Sequence, residues 1–285
     1  MKNVASNPSR TEHQAETNIQ PIRPFRTIAP ARLTDETQTI YFLLPAYNEE
    51  ENIGKQLTTI RQLMEKKGAQ YTVVVVNDGS RDRTESVVNQ YSQEMPIKLI
   101  NHEVNKGVGK AFQTGFAELA RIVRDDDIII TMDADNTQNL KTVELMVNKI
   151  NAGYEVVVGS CLATGGMMIG VPFLRYILTR GCNFLYRVLF HIKGIHTYTG
   201  FYRAYSGAAI RKAYEKFGDK LIESDGFVVM AEMLIKFRQI PLFITEAPMI
   251  VRYDLKGGAS KMRIWRTIRS HLRVIMANIF KRRIV

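Results

Sequence analysis

From position 39 onward the apolar residues gather into short, largely β-branched runs at 39–44, 71–76, 97–100, 128–132 and 155–159, separated by longer amphipathic stretches. Runs that are apolar at nearly every position read as strands buried on both faces, and the stretches between them have the length and spacing of helices. The alternation predicts an α/β fold with a mostly parallel sheet flanked by helices. Residues 1–38 break the pattern: they are polar, carry Pro8, Pro21, Pro24 and Pro30, and follow neither period, which predicts a mobile tail.

Two later segments have a different character. Residues 167–190 form the longest apolar stretch, but Arg175, Arg180 and Arg187 interrupt it before the roughly 18 uncharged residues that a spanning helix needs. Such a helix can lie in a membrane interface with Phe173, Ile177, Phe184 and Leu185 in lipid, or it can be a core helix with snorkelling arginines. Near the end, Trp265, Ile268, Leu272, Ile275 and Ile279 recur at spacings of three and four among Arg263, Arg266, Arg269 and Arg273. This predicts a basic amphipathic helix within 261–285 that lies on a membrane surface, although its first half also suits a core-facing stripe.

Composition narrows the choice. With 285 residues and 45% apolar content the chain can bury a large core, which excludes disorder throughout. Cys161 and Cys182 are its only cysteines, with neither a CxxC pair nor a secretory leader, so a reducing cytoplasmic compartment is expected. The net charge is +11, and residues 252–285 hold ten Lys/Arg against Asp254 alone, nine of those eleven charges. A basic block attracts nucleic acid, acidic lipid or a phosphorylated substrate. It surrounds a tryptophan and isoleucine stripe and no RRM, KH, zinc-finger or helix-turn-helix signature is present, so nucleic acid is not an expected partner.

Candidate chemistry collects where the strands end. The first run closes in Pro45-Ala46-Tyr47-Asn48-Glu49, the second in Asn77-Asp78-Gly79-Ser80 and the fourth in Asp133-Ala134-Asp135. Open parallel sheets bind ligands beyond the carboxyl ends of their strands, so these carboxylates can converge on one crevice. Asp-x-Asp directly behind a buried strand sets two oxygen ligands for a hard cation such as Mg²⁺ or Mn²⁺, whose shell substrate phosphates complete. The same triplet also occurs in ordinary Asx turns. Asp78 suits a nucleobase or ribose contact, since the helix-capping role can be filled by Ser80 or Asp82. The segment 105–111 (NKGVGKA) matches neither a Walker loop nor a GxGxxG fingerprint and reads equally as a loop-to-helix junction or as a phosphate neighbour.

The ordered strings PAYNEE, NDGSRDRT, NKGVGKAFQTG, MDAD, VVVGS, YTGFYRAY and GGASK resemble the family 2 glycosyltransferases of GT-A fold. Within them the likeness, over 39–272, is to the polyprenyl-phosphate (dolichol-phosphate) mannose and glucose synthase branch. The resemblance implies a Rossmann-like glycosyltransferase domain over 39–260 followed by an interfacial helix over 261–285. It implies that Pro45, Tyr47 and Glu49 border the nucleotide, that Asp78 holds base or ribose, and that Asp133 and Asp135 bind Mg²⁺ or Mn²⁺ on the diphosphate, with Thr137 as a candidate further ligand, directly or through water. It further implies that Arg175 meets phosphate at the membrane side and that Arg203, Arg252, Ser260 and Lys261 close over the diphosphate or the acceptor phosphate, with Asp135, Arg175 and Arg203 as the catalytic set. Two positions depart from the branch: Asn136 and Thr137 stand where it has leucine and a metal-holding glutamine, and Cys161 stands where an arginine often follows Val-Gly-Ser.

The implied reaction is a single in-line displacement, with inversion, of a nucleoside diphosphate from a hexose carried by a GDP-mannose or UDP-glucose type donor. A lipid-phosphate acceptor at the cytoplasmic membrane face needs no base, its second phosphate pKa being about 6. A hydroxyl acceptor does need one. Asp135 is then the nearest candidate by position, while Glu223 and Asp225 also suit capping of a helix over 227–237. A silent nucleotide- or membrane-binding module that has kept the fold is the remaining alternative, because sites and not folds carry function.

Overall fold

The computed structural model describes residues 37–134, 138–139, 141–255 and 264–281. Residues 1–36 of the expected tail, Asp135, Asn136, Thr137, Ser260, Lys261 and Arg263 lie outside the described residues.

The chain alternates as the apolar runs predict: β1 (Thr39–Ala46), α1 (Ile53–Lys67), β2 (Gln70–Asn77), α2 (Thr84–Tyr91), β3 (Ile97–Asn101), α3 (Val108–Ile122), β4 (Ile128–Thr131), α4 (Lys141–Asn151) and β5 (Val156–Ser160). A short β6 (Met167–Ile169) leads into α5 (Phe173–Leu189), and β7 (Arg203–Ser206), α6 (Gly207–Phe217), α7 (Val229–Phe237), β8 (Ile244–Pro248), β9 (Ile250–Arg252) and α8 (Ile264–Lys281) follow. Seven strands form one sheet in the order β3-β2-β1-β4-β7-β5-β8. All neighbours are parallel except β7, which runs antiparallel to both β4 and β5. The five apolar runs are thus all strands, and β7 and β8 are additions. β7 enters in the opposite sense because the chain reaches it from α5 and the loop after it, without a right-handed crossover back to the far edge.

Alternation along β1 and β4 divides the core. Ile40, Phe42, Leu44, Ile128 and Ile130 face one side, where α1, α2 and α4 supply Leu57, Ile60, Val88, Val143 and Met146. Leu43 and Ile129 face the other, covered by Phe112, Phe116, Ile210, Met233 and Phe237 from α3, α6 and α7. A third cluster joins Tyr186 and Phe190, at the end of α5, to Leu234 of α7 and to Val274 and Ile275 of α8. Between α5 and α8 the Tyr186 hydroxyl lies 2.9 Å from His271 Nδ1, and burial holds that imidazole down at about 4, hence neutral.

The connections fix where a ligand can enter. α1 and α2 lie on one face while α3 crosses back on the other to reach β4, so the order reverses between β1 and β4. In open α/β sheets that reversal opens a crevice at the carboxyl ends of the strands.

Candidate functional site

The loop after β1 and the loop after β2 are laced together at this edge. The Asn48 amide donates to Ser80 Oγ (3.0 Å), the Glu49 amide to Thr84 Oγ1 (2.8 Å) and the Glu50 amide to Asp82 Oδ2 (3.1 Å). In return Asn48 Oδ1 accepts from the Arg81 amide at 2.8 Å. Asn48 adopts a left-handed φ of 51°, a conformation that asparagine tolerates better than most residues. Burial pushes the Asp82 carboxyl upward, but hydrogen bonds from the Thr84 hydroxyl and from the Thr84 and Glu50 amides outweigh it and hold the group below the usual range. Asp82 thereby takes the capping role at α2, as the sequence allowed. Pro45, Tyr47 and Glu49 all remain half-buried on this rim, with Glu49 Oε2 accepting from Asn52 Nδ2 at 2.8 Å.

Asp78 is held by a second turn. It is buried, and its Oδ1 accepts from the Lys106 amide (2.9 Å) while Oδ2 accepts from the Gly107 amide (2.8 Å). His102 Nδ1 is a further 2.7 Å from Oδ1. These three chain donors make Asp78 the organiser of the turn that opens α3. Gly79 makes the packing possible. Its φ is +67°, and a Cβ there would lie 2.4 Å from the Val104 carbonyl carbon. Gly79→Ala should therefore cost about 2–5 kcal/mol through strain and overpacking, measured by urea unfolding. A loss below about 1 kcal/mol, within the range of an ordinary surface substitution, would contradict this packing.

Asp133 follows β4 and is half-buried beside the crevice. Gln138 brackets it: Gln138 Nε2 donates to Asp133 Oδ2 at 2.8 Å, and Gln138 Oε1 accepts from the Asp133 amide at 3.1 Å. Gln138 also forms an antiparallel bridge with Val251 of β9. β9 in turn pairs with β6, which sets Ile169 opposite Arg252. The acidic loop after β4 is thus tied by backbone to the strand that carries Arg252. Arg252 pairs with Asp254 at 2.8 Å, and the neighbouring Tyr253 receives Arg175, whose Nη1 donates to the hydroxyl at 3.0 Å with the guanidinium 4.9 Å from the ring centre. Arg175 and Arg252, far apart in sequence, are brought together at this small sheet.

Arg203 is not part of this gathering. It opens β7 opposite Thr131, but its side chain is fully buried and donates to the backbone carbonyls of Gly200 (3.0 Å), Met230 (2.8 Å) and Tyr198 (2.6 Å). Burial draws its pKa below the ordinary arginine value. A guanidinium spent on three carbonyls ties β7 to the loop before it and to α7, an arrangement that points to a structural role.

The segment 223–225 also divides. Glu223 pairs at 2.8 Å with Lys236, a buried lysine that Glu232 holds at 2.7 Å. Asp225 is exposed and its side chain makes no capping hydrogen bond to the one-turn helix Gly226–Val228, so the capping alternative does not hold for it. Its loop presses on α3, where a Cβ at Gly109 would meet the Ser224 carbonyl at 2.4 Å. Cys161 is half-buried and burial raises its thiol pKa, so it supplies no charge where an arginine would stand.

Two residues escaped the sequence reading. Gln138 stands three positions after Asp135, one later than the glutamine sought there, and a search tolerant of one residue would have found it. His102 lies in no motif and carried no signal.

Comparison with known proteins agrees with the fold. The family model described as glycosyl transferase family 2 matches residues 41–213. The chain is 30% identical over 196 residues to a dolichol-phosphate mannosyltransferase of Pyrococcus furiosus, covering 68% of this chain and 51% of that protein, so it spans about half that relative's length. It is 28% identical over 228 residues to the polyprenol monophosphomannose synthase of Mycolicibacterium smegmatis, covering 79% of this chain and 82% of the relative. Among solved structures, glucosyl-3-phosphoglycerate synthase of Mycobacterium tuberculosis in complex with Mn²⁺, UDP-glucose and phosphoglyceric acid superposes with a TM-score of 0.65 at 19% identity, over 90% of this chain and 86% of that one. The chain belongs to glycosyl transferase family 2 and has the GT-A fold.

Proposed function

We propose that this chain is a metal-dependent, inverting glycosyltransferase that moves a hexose from a nucleotide-sugar of GDP-mannose or UDP-glucose type to a polyprenyl phosphate at the cytoplasmic face of a membrane. The observation that carries the reading is the bridge between Gln138 and Val251, which joins the acidic loop after β4 to the strand bearing Arg252. An acidic group that takes a cation beside arginines that take phosphate is the arrangement that a departing diphosphate needs. The names of the Pyrococcus and Mycolicibacterium relatives support the polyprenyl-phosphate acceptor.

The donor chemistry fits a hard divalent ion. Asp133 offers carboxylate oxygen, and Asp135 and Thr137 would add two more oxygen donors, the ligand type preferred by Mg²⁺ and Mn²⁺, with substrate phosphates completing the shell. Such an ion supplies charge neutralisation on the diphosphate. The rest falls to the protein. Gln138 holds Asp133 in place, Pro45, Tyr47 and Glu49 border the nucleotide, and Arg175, Arg252, Ser260 and Lys261 hold the phosphates. The acceptor oxygen bonds to the anomeric carbon as the bond to the diphosphate breaks.

The membrane reading rests on two helices. Along α5, Phe173, Leu174, Ile177, Phe184, Leu185 and Val188 are exposed, and on α8 so are Trp265, Leu272 and Met276. Arg180 and Arg187 border the first group and Arg269 and Arg273 accompany the second, as in helices lying at headgroup level. The stripe expected on α8 is split, since Ile275 packs inward while Trp265 and Leu272 point outward. No helix among the described residues is long and apolar enough to cross a membrane.

A thermal-shift screen of GDP, UDP and their sugars with and without Mn²⁺ tests the donor half. One base series should raise Tm by about 5–10 °C near a hundredfold excess over Kd, and only with the cation. No cation-linked shift with any of them would defeat the proposal. A radiolabelled donor offered to extracted lipids then tests the acceptor: an acid-labile phosphoglycolipid is expected. Label in polymer instead would favour a hydroxyl acceptor, for which Asp135 is the nearest candidate base by position and Asp225, exposed in its loop, is another.

A further inference from the structure

We infer that His102 is a positioning residue for the nucleotide half of the site, acting through Asp78 on the turn at 105–107; the inference rests on the nucleotide-sugar reading above. His102 lies immediately beyond β3, is 8% exposed, and has both ring nitrogens engaged. Nδ1 is 2.7 Å from Asp78 Oδ1 and Nε2 is 2.9 Å from Thr114 Oγ1 of α3.

The hydrogen-bond inventory assigns the proton. Both Asp78 oxygens accept amide bonds from the turn, so the carboxylate acts as an acceptor and Nδ1 must donate to it. In the neutral imidazole Nε2 then accepts from the Thr114 hydroxyl. A continuous chain therefore runs from Thr114 through His102 and Asp78 to the amides of Lys106 and Gly107. It ties the body of α3 to the turn at the start of the same helix and to the end of β2. The backbone repeats the connection, with the His102 amide donating to the Asn77 carbonyl (2.9 Å) and the Asp78 amide to the Ala46 carbonyl (2.8 Å).

Without the imidazole, Asp78 Oδ1 and Thr114 would face each other across a buried gap, and the carboxylate would be free to rotate away from the two amides. The loop laced to this region is the one that carries Tyr47 and Glu49. The acidic loop after β4 is separated from it: in the order β3-β2-β1-β4, two strands lie between the strand that precedes His102 and the strand that precedes Asp133. The effect should consequently fall on nucleotide affinity and not on the chemical step.

The test is calorimetric titration of UDP and GDP, with Mn²⁺, into the full chain and its His102→Ala, His102→Asn and His102→Gln variants, followed by KM and kcat with the sugar of the better-bound nucleotide. His102→Ala should weaken nucleotide binding and raise KM about tenfold, the size of one lost charge-assisted hydrogen bond, with kcat within about twofold. His102→Asn, whose amide can donate where Nδ1 did, should stay within about threefold of the parent. His102→Gln, whose amide falls toward the Nε2 end, should remain near the alanine level. Should the alanine variant fail to fold, the comparison of asparagine with glutamine carries the same contrast. Equal affinities in all folded variants, or a fall in kcat with KM unchanged, would overturn the role of His102. A parent chain that binds neither nucleotide would overturn the functional reading and this role with it.

Discussion

Replacing Arg203 with methionine should lower Tm by about 10 °C while leaving the nucleotide affinity of the folded protein near that of the parent. The guanidinium is the only side-chain donor seen on the carbonyls of Gly200, Tyr198 and Met230 among the described contacts, and methionine fills space without donating. Met230 lies inside α7 and keeps its helical partner, but the Gly200 and Tyr198 carbonyls, left buried at a cost of about 1–3 kcal/mol each, together outweigh what methionine recovers by packing. Lysine should recover only part of the loss, because its ammonium is a point charge where the cage needs a planar fork. Circular dichroism melts and nucleotide titration, run on the same preparations, separate the two effects. An unchanged Tm with turnover abolished would return Arg203 to the catalytic set and refute the structural assignment.

The burial of Arg203 illustrates what the sequence could and could not reveal. The five apolar runs are legible because strands buried on both faces must be apolar at nearly every position, and β1, β2 and β4 meet that condition. β7 is not legible in the same way. Its residues Arg203, Ala204, Tyr205 and Ser206 include a cation and two hydroxyls, all buried, and Arg203 and Tyr205 both reach Met230, which is distant in sequence. Buried polar groups with tertiary partners look like surface residues until the partner is known.

The site divides along the same line. Residues at strand ends are legible because the sheet brings neighbouring strand ends together, and the carboxylates after β2 and β4 indeed flank the end of β1. Side-chain assignment within that edge is another matter. Asp78 and Asp133 occupy equivalent places in sequence, each directly after a buried strand, yet one is engaged by two amides and an imidazole and the other is bracketed by Gln138. Spacing gives the location of a carboxylate but not the number of donors that reach it. The contact of Arg175 with Tyr253, the neighbour of Arg252, is not legible for the same reason, since it depends on where β9 is placed by its pairing with β6.

The contrast between the two aspartates leads to the largest expected effect on activity. Asp133→Asn preserves the shape of the side chain and an oxygen that can accept from Gln138, so Tm should move by no more than a degree or two, as for a substitution worth about 0.5 kcal/mol. What it removes is the negative charge that a divalent ion requires, and turnover should fall about a thousandfold, the scale on which loss of a preorganised electrostatic contact acts. The Mn²⁺-dependent part of the nucleotide thermal shift should vanish with it. Gln138→Ala retains the charge but releases the carboxylate, and should reduce cation affinity about 10–100-fold, as loss of a partner that orients a ligand does. Because the glutamine acts only through the aspartate, adding Gln138→Ala to Asp133→Asn should cost almost nothing more. Turnover within about tenfold of the parent in Asp133→Asn would show that the charge at this position is dispensable to the reaction. Full additivity in the double variant would show that Gln138 serves something other than Asp133.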